Sequence, residues 1–290
     1  SLYSEEGMAR LRALLNPGDV GIAPVPGYPT YNIGHVFAGA VTYRVPLRRE
    51  NGFLLDFDEI PPDVRREAKM LWLNYPNNPT TAVAPLEFFE RAVAFGREND
   101  ILICHDAAYT ENAYDHYEAP SILQVPGAAE AAVEFFSLSK AFCMTGWRVG
   151  ALAGNADVVA ALGAVKDNTD NGTLRGVQRA ATVGLNRAEE LIGPINAVYQ
   201  RRRDLVCDAL ADAGWPVEKP LATIYVWAHV PAQYAGDSGA FAADLLERTG
   251  VMVTPGRGYG PAGEGFYRIA LTYPDDVLAQ ALDRIVELAK

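Results

Sequence analysis

The clearest chemical signal in the sequence is a lysine at the end of an apolar run, in Ser137-Leu138-Ser139-Lys140. An ammonium in such a buried position is costly, so the neutral amine is favoured and can attack a carbonyl group. Arg148 follows eight residues later, and its planar guanidinium suits a phosphate dianion. Ser137 and Ser139 add hydroxyl donors nearby. A surface turn with solvated Lys140 and Arg148 is the alternative, and this segment alone leaves both interpretations open.

A second signal follows another apolar run, in His105-Asp106-Ala107-Ala108-Tyr109. Ligands of open α/β sheets bind beyond the carboxyl ends of the strands, where an aspartate can pair with a protonated ring nitrogen. Tyr109 can direct its phenol into the same crevice. One alternative is an Asp106 that caps a helix beside a packed tyrosine. Another is a metal site at His105 and Asp106, which the spacing of the histidines does not favour.

Two further apolar runs also end in polar or aromatic residues. The loop from Asn74 to Thr80 has two X-Pro steps and displays Asn78, whose amide can donate to a phenolate oxygen. Tyr28 follows the run 20–25 and could stack flat on an aromatic ring. An ordinary Pro/Asn turn and core packing at a helix start are the alternatives. Together, four strand ends carry groups suited to one flat, phosphorylated pyridine aldehyde.

The elements that must position these groups alternate between short β-branched runs and amphipathic helical stretches. The predicted strands are 20–25, 41–45, 69–74, 101–105, 133–137 and 149–153, and the predicted helices are 5–15, 29–37, 86–98, 156–167, 173–188 and 191–213. This alternation predicts a three-layer α/β/α large domain with a mostly parallel sheet.

The character of the sequence changes after Gly214, where a smaller α+β domain is predicted. Its predicted strands are 224–229, 251–254 and 267–271, its helices are 239–248 and 275–288, and a Gly-rich loop spans 255–265. The predicted division is a large domain over 1–190, a bridging helix over 191–213 and a small domain over 214–290.

The composition, with 49% hydrophobic and 21% charged residues among 290, is typical of a soluble globular protein. A net charge of −11 disfavours nucleic-acid binding, which needs clustered lysine and arginine. No apolar run approaches the ~18 residues of a transmembrane helix, and the charged first residues do not form a signal peptide. The separated Cys104, Cys143 and Cys207 argue against disulfides and zinc. We therefore predict a cytoplasmic protein without membrane or nucleic-acid partners.

The segment from Ser137 to Gly150 resembles the cofactor-lysine signature of the fold-type I pyridoxal-phosphate enzymes, specifically the class I/II aminotransferases. The resemblance runs through essentially the whole chain in the same order. It implies the fold of those transferases, pyridoxal 5′-phosphate as cofactor, and a homodimer with active sites at the interface. It also implies ping-pong transfer of an amino group from an amino acid to a 2-oxo acid, either 2-oxoglutarate or pyruvate.

The resemblance further implies a role for each matching residue at the cofactor ring. Lys140 would hold the cofactor as a Schiff base and later move the proton at the substrate Cα. Asp106 would keep the pyridine nitrogen protonated, so that the ring withdraws electrons. Tyr109 and Asn78 would hydrogen-bond the 3-oxygen, and Tyr28 would stack on the ring face.

The resemblance assigns the phosphate and the substrate to other residues. The implied phosphate ligands are Ser137, Ser139 and Arg148. Arg268 would bind the substrate α-carboxylate in a bidentate pair, with Asn78 beside it. Ser4 and Glu5 fall on the family's phosphate-binding turn, but Tyr3 stands where glycine is common and Glu5 brings a negative charge.

Several alternatives remain within and beyond this family. The family's N-terminal segment, which covers the substrate, precedes the stretch matched here, so the sequence is either part of a longer chain or a shortened member. Residues 109–124 and 166–172 most resemble LL-diaminopimelate aminotransferases and related alanine-type enzymes, and the loop 168–172 either reaches a partner's site or is a solvated turn. The competing functions are a β-lyase or aminocyclopropane-carboxylate synthase-like enzyme, a non-catalytic regulatory domain, and an inactive paralogue.

Overall fold

The computed structural model describes residues 14–169 and 172–289, in which a six-stranded sheet forms the larger part. Its strands are β1 (Val20–Val25), β2 (Val41–Pro46), β3 (Ala68–Leu73), β4 (Leu102–Asp106), β5 (Ala132–Ser137) and β6 (Gly150–Gly154). They lie in the order β2-β1-β3-β4-β5-β6, and all neighbours are parallel except β5 and β6. The predicted α/β class with a mostly parallel sheet is confirmed.

Helices cover the faces of this sheet and continue into the C-terminal part. They are α1 (Thr30–Phe37), α2 (Pro62–Glu67), α3 (Leu86–Asn99), α4 (Ala128–Ala131), α5 (Leu138–Ala141), α6 (Ala156–Thr169), α7 (Arg175–Asn186), α8 (Ala188–Asp212), α9 (Ser238–Thr249) and α10 (Asp275–Ala289). Short 3₁₀ turns lie at Arg49–Asn51, Phe57–Glu59, Ile122–Gln124, Thr145–Trp147, Ala232–Tyr234, Gly256–Tyr259 and Pro261–Gly263. Of the predicted helix 5–15, residues 5–13 lie outside the described residues, and residues 14 and 15 are not helical.

Helix α3 shows how packing fixes the strand that precedes the site. Its apolar residues at helical spacing, including Phe88, Ala92 and Phe95, are buried in the core of the larger sheet. Gly96 lies so close to the start of β4 that a Cβ there would be 2.8 Å from the Ile101 carbonyl oxygen. The absence of a side chain lets α3 approach the sheet closely, which places the carboxyl end of β4.

The C-terminal part has its own three-stranded sheet and its own core. The strands β7 (Tyr225–His229), β8 (Thr254–Pro255) and β9 (Phe266–Ala270) lie in the order β7-β9-β8 and are antiparallel. The predicted strand 251–254 is wrong in extent, because only Thr254 and Pro255 pair with β9 and Met252 is 78% exposed. Residues from α8, α9 and α10, among them Leu210, Phe241 and Leu282, form the core beneath this sheet.

The loop after β4 joins the two sheets. Ala113 forms an isolated antiparallel bridge with Ala222, and the Tyr114 amide donates to the Leu221 carbonyl at 2.8 Å. The buried Arg203 of α8 donates to Asp115 at 2.5 Å. These contacts hold the C-terminal part against the carboxyl end of β4. The predicted domain limits at 190 and 213 stay a prediction.

The helices also bear on the prediction that the protein has no membrane partner. Within the described part of the chain, no helix is both long enough and apolar enough to cross a membrane.

The three cysteines, Cys104, Cys143 and Cys207, are free thiols. The predicted cytoplasmic location stays a prediction.

Candidate active site

A cleft opens at the carboxyl ends of four adjacent parallel strands, β1, β3, β4 and β5. It encloses about 950 Å³, part of which is continuous with solvent. Eight of the residues predicted from the sequence line it: Tyr28, Asn78, Asp106, Tyr109, Ser137, Ser139, Lys140 and Arg148. Lys140 and Asp106 therefore face one cavity, as the sequence predicts for adjacent strand ends.

Asp106 is the acidic group of the cleft, and it is 8% exposed at the last position of β4. Its Oδ2 accepts a hydrogen bond of 2.8 Å from the Tyr31 hydroxyl, and its Oδ1 accepts one of 3.3 Å from the Ala108 amide. Burial raises the pKa of Asp106 above its ordinary value of 3.8, while the Tyr31 hydrogen bond and the charge of His105 oppose this rise. No helix starts at Asp106, so it is not a helix cap.

Tyr31 reaches Asp106 because α1 packs flat against the sheet. Its ring stacks on Trp72 of β3 with the centroids 4.9 Å apart and the planes inclined by 12°. Burial, followed by the neighbouring Asp106 carboxylate, raises the pKa of the Tyr31 phenol well above 10.0. The phenol therefore stays protonated and remains a donor to Asp106 at neutral pH.

Asn74, the first residue after β3, fixes the loop that carries Asn78. Its side-chain amide donates to the Asp106 carbonyl at 2.7 Å, and its Oδ1 accepts the Asn78 backbone amide at 2.9 Å. Asn77 ties the other side of the loop to Thr80, whose hydroxyl donates to Asn77 Oδ1 at 2.7 Å. Because these side chains are buried and hydrogen-bonded to one another, Asn78 is held in place rather than displayed on a loose turn.

Asn78 and Tyr109 meet in the cleft, as the sequence predicts. The Asn78 side-chain amide lies 3.5 Å from the Tyr109 hydroxyl, a long hydrogen bond. That hydroxyl is also 3.3 Å from the hydroxyl of Tyr225, which comes from β7. Burial first, then the neighbouring Tyr225, raises the pKa of the Tyr109 phenol well above 10.0, while Arg268 opposes this rise. Tyr109 therefore presents a neutral hydroxyl donor to the cleft.

Arg268 reaches the same group of residues from β9. One of its terminal nitrogens, Nη1, donates to Asn78 Oδ1 at 2.7 Å. Its Cζ lies 3.9 Å from the centroid of the Tyr225 ring and 5.1 Å from that of Tyr259. Its buried Nε has no hydrogen-bond partner among the described residues. The guanidinium thus keeps donor capacity for an anion such as a carboxylate.

The segment that carries Lys140 is a tight turn around α5. The Ser137 hydroxyl oxygen accepts the Ser139 amide at 3.2 Å, and the Thr145 hydroxyl donates to the Ser139 carbonyl at 3.0 Å. Arg148 has left-handed backbone geometry with φ of 55°, and its Nη1 donates to the Thr145 carbonyl at 2.8 Å. The hydroxyl of Ser139 is buried without a hydrogen-bond partner among the described residues.

These groups fit pyridoxal 5′-phosphate. An amine (Lys140), a guanidinium (Arg148) and a buried hydroxyl (Ser139) that has no partner among the described residues share the cleft with one buried carboxylate. The cations and hydroxyls match a phosphate, the carboxylate matches a protonated ring nitrogen, and the Tyr109 and Asn78 donors match a phenolic oxygen. Ser4 and Glu5, the other predicted phosphate contacts, lie outside the described residues, as do Asp170 and Asn171 of the predicted partner-reaching loop.

His105 is a packed side chain behind the site. Its Nε2 lies 2.9 Å from the Tyr75 carbonyl oxygen and its Nδ1 lies 3.0 Å from Glu134 Oε2. Burial opposes ionisation of Glu134, but donors from His105, Ser121 and Ile122 outweigh it and lower the pKa of this carboxyl. Both ring nitrogens of His105 are thus engaged by protein groups. The described residues contain no cluster of three or more potential metal ligands.

Sequence reasoning missed four residues of the site: Tyr31, Asn74, Thr145 and Tyr225. Asn74 begins the loop 74–80, and its position directly after a strand could have identified it. Thr145 lies in the segment from Ser137 to Gly150, and its proximity to Lys140 in the sequence could have identified it. Tyr31 ends the run 26–31 that follows the strand 20–25, where core packing at a helix start explains it equally well. Tyr225, the first residue of β7, gave no signal of this kind. Only the contacts to Asp106 and Tyr109 distinguish them.

The chain is similar to known proteins over most of its length. Residues 7–285 match the family described as aminotransferase class I and II. The chain is 50% identical over 273 residues to an LL-diaminopimelate aminotransferase of Gloeobacter violaceus, covering 94% of this chain and 69% of the relative.

Two solved structures are similar over nearly the whole chain. Substrate-bound BacF from Bacillus subtilis has 37% identity and a TM-score of 0.92, covering 98% of this chain and 72% of that one. A probable N-succinyldiaminopimelate aminotransferase from Thermus thermophilus has 40% identity and a TM-score of 0.90, covering 100% of this chain and 77% of that one. This chain therefore belongs to the aminotransferase class I and II family.

Proposed function

We propose that this chain uses pyridoxal 5′-phosphate to move an amino group from an amino acid of the LL-diaminopimelate type to a 2-oxo acid, 2-oxoglutarate or pyruvate. The observation that carries the proposal is the shared cleft, which places Lys140 and the buried Asp106 on the walls of one cavity. The LL-diaminopimelate aminotransferase at 50% identity supports the choice of donor. The catalytic and binding roles below are part of the proposal.

Each side chain has a definite task in this reaction. When bound, the cofactor supplies an aldehyde that takes up the amino group and a ring that withdraws electrons from the substrate Cα. Asp106 holds a proton at the ring nitrogen, since an ionised carboxylate stabilises the protonated ring. Lys140 would hold the aldehyde through its side-chain amine and would serve as the general base that moves the proton at the substrate Cα.

The remaining residues bind and orient. Tyr109 and Asn78 donate hydrogen bonds to the 3-oxygen, and Tyr28 lies against the ring face. The phosphate ligands in this proposal are the side chains of Ser137, Ser139 and Arg148, together with the backbone N–H groups of Ser4 and Glu5. Arg268 binds the substrate α-carboxylate through the edge that Asn78 leaves free.

Absorption spectroscopy with a matched lysine variant tests the cofactor assignment. The purified protein with pyridoxal 5′-phosphate should show a visible band that borohydride fixes to the chain. Lys140→Ala should abolish that covalent linkage, whereas Lys69→Ala should retain it, because Lys69 is exposed near the opposite end of β3. A band that survives in Lys140→Ala and is still fixed by borohydride contradicts the proposal.

A panel of amino donors tests the substrate. LL-diaminopimelate should bleach the visible band and, with 2-oxoglutarate or pyruvate present, yield the new amino acid. The meso isomer, N-succinyl-diaminopimelate, L-aspartate and L-alanine serve as comparison donors. Release of ammonia and pyruvate would identify the β-lyase alternative, and binding of the cofactor without turnover of any donor would favour a regulatory domain.

We also propose a homodimer. Large apolar side chains are exposed around α7 and beside Arg148, with Leu174 at 75%, Val183 at 53% and Trp147 at 50%. Large apolar side chains exposed to this extent favour a protein contact over free surface. Light scattering should give twice the chain mass of 31.4 kDa, and a monomer at micromolar concentration would contradict this part of the proposal.

A further inference from the structure

Tyr225 lies in the cleft but has no part in the proposed chemistry. It is the first residue of β7, is 8% exposed, and lines the cavity with Lys140 and Asp106. Its ring and its hydroxyl contact two different functional side chains, Arg268 and Tyr109. These contacts allow its two parts to be considered separately.

The ring of Tyr225 supports the guanidinium of Arg268. Trp227 is directly opposite Arg268 in the antiparallel β7–β9 pair, so Tyr225, two residues earlier, is the diagonal neighbour on the same face. The Arg268 Cζ lies 3.9 Å from the Tyr225 ring centroid, which is close contact over an aromatic face. When one face of a guanidinium packs on a ring, its N–H groups point outward in the guanidinium plane. A carboxylate forms a bidentate pair with the guanidinium in that same plane.

The hydroxyl of Tyr225 reaches the opposite sheet. It lies 3.3 Å from the Tyr109 hydroxyl, which in turn lies 3.5 Å from the Asn78 amide, while Asn78 Oδ1 accepts from Arg268. The four side chains therefore form a closed ring of contacts. Two of them, Tyr109 and Asn78, follow strands of the larger sheet, and the other two belong to the smaller sheet.

We propose that Tyr225 is a positioning residue that sets both the orientation of Arg268 toward a substrate carboxylate and the direction of the Tyr109 hydroxyl. The inference rests on the proposed function. Its ring acts on carboxylate recognition, and its hydroxyl acts on the cofactor side of the cleft. Tyr225 itself touches neither the substrate Cα nor the amino group in this assignment.

Two substitutions separate the two parts of the side chain. Tyr225→Phe keeps the ring and removes the hydroxyl, and Tyr225→Leu removes both. Glutarate, which has carboxylates but neither an amino nor an oxo group, reports carboxylate binding without turnover. We expect Tyr225→Leu to weaken glutarate binding to the holoenzyme about 5- to 30-fold, the range of a desolvated cation–π contact. Tyr225→Phe should change it less than about twofold.

The hydroxyl has its own readout. Tyr225→Phe should shift the visible absorption maximum of the holoenzyme and lower kcat, because the Tyr109 hydroxyl loses one of its two partners. Tyr225→Leu should combine this shift with a raised KM for amino donor and oxo acceptor alike. The raised KM for both substrates is expected because both carry the carboxylate that Arg268 binds.

Tyr267 provides matched controls in the neighbouring strand. It is 1% exposed, packs on Phe241 in the core of the smaller sheet, and is not among the residues lining the cleft. Tyr267→Phe and Tyr267→Leu should leave the spectrum and glutarate binding of the folded protein unchanged, even where Tyr267→Leu lowers Tm. Equal effects of the leucine variants at 225 and 267 would overturn the positioning role.

Two other outcomes are also decisive. If Tyr225→Phe weakens glutarate binding as much as Tyr225→Leu, the ring is not the support of Arg268 and the inference fails. If the unsubstituted protein shows neither the Lys140-dependent band nor amino transfer, the proposed function fails first. If the unsubstituted enzyme is active and Tyr225→Leu leaves glutarate binding, KM and the absorption maximum unchanged, the positioning role of Tyr225 is refuted while the proposed function stands.

Discussion

Replacing Tyr31 with phenylalanine removes one hydroxyl and keeps the ring that stacks on Trp72. The lost group is the donor of the 2.8 Å hydrogen bond to Asp106, and both partners are buried. A hydrogen bond to a charged group contributes about 1.5–3 kcal/mol. The same hydrogen bond is worth about 1 kcal/mol to the neutral carboxyl, and one pKa unit corresponds to about 1.4 kcal/mol, so the pKa of Asp106 should rise by roughly 0.4–1.4 units in Tyr31→Phe.

The effect on stability depends on pH with a defined sign. Burial already raises the pKa of Asp106 in the folded protein, so folding favours the protonated carboxyl. The contribution of Asp106 to the free energy of unfolding is therefore greatest at low pH. It is lost as the pH rises through the pKa that Asp106 has in the folded protein. Tyr31→Phe should therefore cost about 1.5–3 kcal/mol where Asp106 is ionised, and only about 1 kcal/mol, the value of a neutral hydrogen bond, where it is protonated.

Urea unfolding of the cofactor-free protein across the acidic to neutral range measures this difference. Tyr75→Phe is the matched control, because the Tyr75 hydroxyl is buried between the Leu55 amide and the Phe53 carbonyl, each at 3.0 Å. Among the described residues the Tyr75 hydroxyl has no acidic partner, so the stability lost in Tyr75→Phe should not vary with pH over the same range. A Tyr31→Phe penalty that is equally independent of pH would refute the claim that Tyr31 stabilises an ionised Asp106.

Three further predictions concern kinetics and packing. Arg268→Lys should lower kcat/KM by about 10- to 150-fold, which corresponds to one lost charge-assisted pair, with an unchanged Tm as the control. Arg203→Met should reduce the free energy of unfolding by about 1.5–3 kcal/mol, the value of a hydrogen bond to a charged group, because the aspartate partners stay hydrated and are not left as buried charges. Gly21→Ala should lower the free energy of unfolding by about 1–3 kcal/mol, since the new Cβ would lie 2.3 Å from the His35 ring. Gly163→Ala should raise it by about 0.5–1 kcal/mol, because a Cβ at this helical position meets nothing within 4 Å. Thermal and urea unfolding check the last two, and a stabilised Gly21→Ala or an unchanged Arg203→Met would contradict them.

The central strands β1, β3 and β4 of the larger sheet could be predicted because nearly all of their residues are buried. Met70 to Leu73 in β3 are all buried, which leaves an uninterrupted apolar run in the sequence. The same reasoning failed at 251–254, where Val253 is buried but Met252 is exposed and Pro255 and Gly256 follow at once. An apolar run beside a short edge strand does not show where pairing stops.

The site could be predicted where its residues follow strand ends, and not where they lie within elements. Asp106 and Lys140 each end or follow an apolar run, so the parallel sheet brings them together. The partner of Asp106 is 75 residues away, and Tyr225 is 116 residues from Tyr109. Such pairings depend on how helix α1 and the smaller sheet pack, which no local pattern specifies.

The arrangement around Asp106 also explains why a buried carboxylate suits this cleft. Its two oxygens have about four lone-pair sites, and the described residues supply two donors, the Tyr31 hydroxyl and the Ala108 amide. These donors offset only part of the cost of burial, so the pKa remains raised. A cationic donor that approaches from the cleft stabilises the ionised form and draws the pKa down. Binding of a protonated ring and ionisation of Asp106 are therefore thermodynamically linked, and each favours the other.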